Sequence, residues 1–103
     1  MRVEVWVRAN LIKHVDDQPE RGRFLRVAEW DDPDARHPQE AAQRVWRVCS
    51  SGAMDLTPLE QEWASQWRAR RNGYGFGIGD VVVAQGVSLR CEAQQFMPCD
   101  PPL

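Results

Sequence analysis

Hydrophobic and charged residues alternate from the first positions of the chain: Val3, Val5, Val7 and Ala9 fall on one side, Arg2, Glu4, Trp6 and Arg8 on the other. A period of two is the mark of a strand with one buried face, and it sets Trp6 among charges on the solvent side. The charged stretch KHVDDQPERG, punctuated by Pro19 and Gly22, reads as a loop. The run RFLRVAEW from Arg23 to Trp30 is rich in strand formers but less regular, and is assigned to a second strand with helix as the lesser alternative.

After DDPD at Asp31 to Asp34 the period changes. Pro38 suits a first helical position and Glu40 suits the positive end of a helix dipole. Ala42, Val45, Trp46 and Cys49 recur at three- and four-residue spacing, an apolar stripe for packing on the sheet; Ser50, Ser51 and Gly52 end the helix. TPLE at Thr57 to Glu60 is a capping box with proline at its first helical residue. Leu59, Trp63 and Trp67 then share a face, so a second helix is expected from Pro58 to about Arg70, stopped by Asn72 and Gly73.

The stretch GYGFGIGDVVVAQG, Gly73 to Gly86, follows. Gly73, Gly75, Gly77 and Gly79 repeat at period two, so in an extended segment they present bare backbone on one face, with Tyr74, Phe76 and Ile78 on the other. Val81 to Ala84 are apolar on both faces, Gln85 and Gly86 make a turn, and Val87, Leu89, Cys91 and Ala93 alternate with Ser88, Arg90, Glu92 and Gln94 as a further strand. The tail FMPCDPPL, with three prolines, is expected to be irregular over 98–103, with Phe96 and Met97 packed back on the domain. The expected architecture is α+β: an antiparallel sheet of about four strands in ββααββ order, two helices packed on one face, in a single domain spanning 1–103.

Composition narrows the function classes. At 103 residues and 43% hydrophobic content, the chain suits one modest core. Its apolar runs are far shorter than the roughly 18 residues of a membrane helix and its start lacks a signal-peptide pattern, so a soluble, cytoplasmic protein is expected. Cys49, Cys91 and Cys99 are odd in number and lack a Cys-x-x-Cys pair, which signals neither a disulfide framework nor zinc. The net charge of −2 disfavours a protein whose main work is holding nucleic-acid phosphates. Of the thirteen cations all but Lys13 are arginine, a bias of GC-rich coding.

The chemical motifs fail their context tests. A phosphate-binding Walker loop ends in Gly-Lys-Ser or Gly-Lys-Thr, where this chain has Gly79-Asp80-Val81, and a carboxylate there repels phosphate. A dinucleotide loop runs strand, glycines, helix, whereas here a helix precedes and a strand follows. Glu29, Asp31, Asp32 and Asp34, near His37, lack the regular ligand spacing of a calcium loop, and Pro33 interrupts them; a solvated loop is the better reading. Cys49, Cys91, Ser50 and Ser51 have no histidine beside them in sequence, and His14 and His37 lie in loops with nothing local to orient them. No catalytic residue, cofactor or metal is therefore assigned.

Of the five tryptophans, Trp46, Trp63 and Trp67 are expected in the core, while Trp6 beside Arg8 is a candidate for contact with a partner. VEVWVRAN, AAQRVWRVCSS, GIGDVVV and SLRCEAQQF, in that order, resemble small proteins of actinobacteria and their phages that carry a Ser-Val-Gly-Asp-Val-type motif and are related to domains of large polyvalent proteins of mobile elements. The sharpest match is Gly79-Asp80-Val81-Val82 with Cys91 and Phe96; Gly77 and Ile78 stand where the pattern has serine and valine. The resemblance implies a non-enzymatic accessory protein of a phage or mobile element that binds a host or defence protein, as an inhibitor or modulator, in the host cytoplasm. The expected contact residues are Trp6 and Arg8, Arg68, Arg70, Arg71 and Tyr74, or the acidic Asp31, Asp32 and Asp34. The alternative is a single-stranded nucleic-acid binder that uses Trp6, Tyr74 and the arginines Arg68 to Arg71.

Overall fold

The computed structural model describes residues 1–8, 24–50, 55–70 and 76–102. The expected loop over 13–22, the helix stops at 51–52 and 72–73, and the candidate residues Arg71 and Tyr74 lie outside the described residues. The chain forms β1 (Arg2–Arg8), β2 (Phe24–Asp31), α1 (Pro38–Cys49), α2 (Pro58–Arg70), β3 (Val81–Ala84), β4 (Val87–Cys91) and β5 (Phe96–Pro98). The five strands make one antiparallel sheet in the order β2-β1-β3-β4-β5. After the β1–β2 pair the chain passes through both helices and returns on the other side of β1, so the first strand becomes an interior one.

The fold class agrees with the sequence, but the sheet has a fifth strand where an irregular tail is expected. Cys91 pairs with Phe96, and Leu89 with Pro98. Pro98 costs nothing there because it lies at the sheet edge, where a missing N–H breaks no ladder. The Cys99 N–H still donates to the Ser88 carbonyl at 3.0 Å.

The irregular pattern of β2 has a physical cause. Val5 of β1 faces Ala28 and Trp6 faces Arg26, which leaves Val27 as an extra residue. This bulge changes the phase of the strand, so that Val27 and Ala28 are both buried although adjacent.

One hydrophobic cluster joins Val3, Val5 and Val7 to Val82, Ala84, Leu89, Cys91 and Phe96, and these to Val45 and Val48 of α1 and Trp63 and Trp67 of α2. Trp63 lies flat on Trp30 of β2, ring centroids 4.9 Å apart and planes within 5°, a stacked pair worth about 0.5–1.5 kcal/mol beyond its burial. The capping box forms as the sequence requires: the Thr57 N–H donates to Glu60 Oε1 at 2.9 Å and the Glu60 N–H to Thr57 Oγ1 at 3.1 Å. Gln85 and Gly86 join β3 to β4 with φ of 50° and 79°, both positive as a tight type I′ hairpin demands. None of the described helices is long and apolar enough to cross a membrane.

Candidate functional site

Three polar features break the surface or interior of this frame. The first is the turn that leads into β3. The Asp80 N–H donates to the Gly77 carbonyl at 3.0 Å, and Gly79 between them has φ of 96°, a conformation that glycine adopts without strain. Asp80 Oδ2 accepts the Gly77 N–H at 2.8 Å and Oδ1 the Arg8 N–H at 3.1 Å, so a single buried carboxylate closes the turn and ties it to β1. Burial pushes the Asp80 carboxyl above its usual range, against these hydrogen bonds and the charge of Arg8. The expected extended course of the glycines therefore fails over 77–80. Phe76 and Ile78 do not share a face: Phe76 is buried against Trp67 and Phe96, while Ile78 is 56% exposed. Gly73 and Gly75 lie outside the described residues.

The second feature corrects the reading of the acidic loop as solvated. Asp31 and Asp34 are exposed, but Asp32 is buried. Asp32 Oδ1 accepts the N–H groups of Asp34 (2.9 Å) and Ala35 (3.1 Å) and a bond from Arg44 Nη1 (2.7 Å). The same guanidinium donates to Asp34 at 2.9 Å and, through Nε, to Glu60 at 3.1 Å, and it covers the ring of Trp63 at 4.8 Å. Arg47 adds a second donor to Glu60 at 3.3 Å. Burial alone would raise Glu60, but the Thr57 N–H and the two arginines carry its carboxyl below the usual range. Burial likewise works to lower Arg44, and its carboxylate partners outweigh that and raise it. The loop, α1 and α2 are thus fastened through Arg44, and the acidic loop is an internal anchor.

The third feature is a pocket of about 270 Å³ between α1 and the β4–β5 connection. Gln39, Gln43 and Trp46 supply the helical wall, since spacings of four and three residues put them on one face. Cys91, Glu92, Gln95 and Phe96 form much of the other wall. Trp46 is 47% exposed, with one edge of its ring against Phe76. The Gln39 side-chain amide donates to the Phe96 carbonyl at 3.1 Å, and Glu92 Oε1 accepts from Arg90 Nε at 2.8 Å. The Cys91 thiol is pushed up, first by burial and then by the charges of Asp80 and Glu92, so at neutral pH it stays protonated.

The candidate residues from the sequence that lie among the described residues do not converge. Trp6 is not the exposed platform expected of it: it is 8% exposed, its Nε1–H donates to Glu4 at 3.0 Å, and it pairs across the sheet with Val81, itself buried. Arg8 is half-buried beside Asp80 at 3.7 Å. Arg68 and Arg70 lie exposed at the end of α2. Trp46, expected in the core, is the tryptophan that faces out. The stripe that packs is Ala41, Ala42, Val45, Val48 and Cys49, and its centre passes to one side of Trp46. Val48 was the signal in the sequence, because a stripe drawn through it leaves Trp46 at the border.

In comparison with known proteins, no family model, no curated protein and no solved structure matches the chain.

Proposed function

We propose that this chain is a non-enzymatic binding module that holds a partner protein at Trp46 and the pocket beside it. The reading rests on the exposure of Trp46, 47% where the other four tryptophans are at 8% or below. Leaving that much indole in water forgoes burial worth on the order of 1–2 kcal/mol, and tryptophan beside a pocket is the residue type that dominates protein interfaces. The described pocket lining is mainly glutamine amides and apolar side chains, groups suited to holding a ligand. Among the described residues its lining carries one carboxylate, Glu92, and neither lysine nor arginine, the wrong charge for a phosphate backbone. In the phage or mobile-element setting that the resemblance implies, the partner is a host or defence protein whose activity is inhibited or modulated.

The test is quantitative capture from an actinobacterial lysate by the tagged protein, by Trp46→Ala and by Arg68→Ser/Arg70→Ser. A specific protein retained by the wild type and the arginine variant, and depleted at least tenfold by Trp46→Ala, is expected. Capture that survives Trp46→Ala but fails in the arginine variant moves the interface to the end of α2 and overturns the reading.

A further inference from the structure

We infer that the Trp46 pocket takes an arginine side chain of the partner, its guanidinium stacked on the indole and paired with Glu92. The inference rests on the proposal that this pocket is the binding surface, and it names what enters it. The chain already contains the chemistry in closed form: the Arg44 guanidinium lies 4.8 Å over the ring of Trp63 while its N–H groups reach three carboxylates. The pocket offers the open counterpart, an indole and a carboxylate with no cation among the described residues of its lining. A planar cation gains from the face of an indole and from a carboxylate at once, and arginine does so with less hydration to lose than lysine.

The amides complete the match. Gln39 commits its side-chain nitrogen to the Phe96 carbonyl, which leaves its oxygen as the end available to accept from a guanidinium. Gln43 and Gln95 add two further side-chain carbonyls. Glu92 is held from outside the pocket by Arg90, but both side chains are partly exposed, 47% and 34%, and an exposed pair of this kind is weak. Arg90 is therefore a competitor that an incoming arginine displaces at low cost.

The experiment follows the Trp46 indole N–H resonance of the full chain during titration with three capped pentapeptides, Gly-Ser-X-Ser-Gly with X as arginine, norleucine or glutamate. The arginine peptide is expected to shift Trp46 saturably, at least tenfold more tightly than the other two, and to weaken as salt rises. Glu92→Gln is expected to weaken it at least fivefold and Arg90→Gln to tighten it two- to threefold, both with the amide spectrum otherwise unchanged. Equal binding of the norleucine peptide overturns the arginine assignment and leaves the pocket as an apolar peptide site. Saturable binding of a labelled oligonucleotide at Trp46 in place of the peptides overturns both the assignment and the protein-binding reading. Loss of Trp46-dependent lysate capture with the arginine peptide still bound overturns only the latter.

Discussion

Glu60 and Asp80 are both acidic and both nearly without solvent contact, 3% and 1% exposed, yet their carboxyls end on opposite sides of the usual range. For each, burial is the largest influence and favours the protonated form. Glu60 nonetheless ends below the usual range, because it accepts the Thr57 N–H and because Arg44 and Arg47 approach one of its oxygens at 3.1 and 3.3 Å. Asp80 ends above it, because its close donors are two neutral N–H groups and the guanidinium of Arg8 stands off at 3.7 Å, beyond hydrogen-bonding range. Backbone N–H donors and an arginine act on both carboxylates; what Glu60 has in addition is two guanidinium groups at contact distance. The two sites hold different things accordingly: Glu60 fastens helix to helix, while Asp80 shapes a turn.

The largest test of this comparison removes the shared cation. Arg44→Met keeps the length of the stem and leaves Asp32 and Glu60 buried without their closest charge; it is expected to cost about 3–5 kcal/mol, as removal of one member of a buried ion pair does, read from urea unfolding. A loss below about 1 kcal/mol breaks the claim that full charges decide the Glu60 side.

Asp80→Asn tests the other side. An asparagine offers one acceptor oxygen where the turn presents two donors, so one hydrogen bond is lost, at about 1–3 kcal/mol. The pH dependence is more telling. Asp80 has a folded pKa raised from 3.8, so wild-type stability is greatest in this respect below 3.8 and falls as pH rises through the raised value. Glu60 has a folded pKa lowered from 4.5, so its stabilisation is complete above 4.5 and is lost as pH falls towards the lowered value. Acidification thus returns the Asp80 contribution while it removes that of Glu60. Asp80→Asn lacks the first effect, and its stability is expected to fall more steeply with acid than that of the wild type. A shallower fall overturns the assignment of opposite signs.

What could be seen of these sites from the sequence followed the range of the interactions. The capping box at Thr57 and Glu60 is local, and TPLE shows it. The partners of Glu60 are Arg44 and Arg47, more than ten residues away on another helix, and no local pattern announces them. The same holds for Asp32, whose burial depends on Arg44, so a run of acidic residues around a proline looks solvated. Strand β1 shows its period of two clearly, but Trp6 is covered although it lies on the charged face, and an alternation pattern alone does not distinguish a covered polar face from an open one. Gly79 and Asp80 were legible as a lead-in to the hairpin. Their role as a closed turn against Arg8 required the pairing of β1 with β3, which sequence order does not reveal.

Gly79→Ala sharpens the Asp80 side without touching a charge. With φ of 96°, alanine is strained there, and its Cβ would stand 2.9 Å from Arg8 Cζ. Arg8 is long enough to move aside, so the expected cost is mainly the backbone term, about 1–2 kcal/mol, measured by unfolding at pH 7. The displaced guanidinium moves farther from Asp80, which raises that carboxyl further and extends the acid-side gain in stability to higher pH.

The smallest expected effect separates hydrogen bonding from charge on the Glu60 side. Thr57→Ala removes the hydroxyl that accepts the Glu60 N–H but leaves the Thr57 backbone N–H that donates to the Glu60 carboxylate. The helix loses one half of its capping box, about 1 kcal/mol, and the carboxylate keeps the donors that lower its pKa. The loss is therefore expected to be the same at pH 7 and pH 4, in contrast to Arg44→Met, whose penalty shrinks as Glu60 becomes protonated. A Thr57→Ala penalty that itself shrinks in acid would mean that the cap, more than the two arginines, keeps Glu60 ionised, and the contrast with Asp80 would then rest on hydrogen-bond geometry in place of charge.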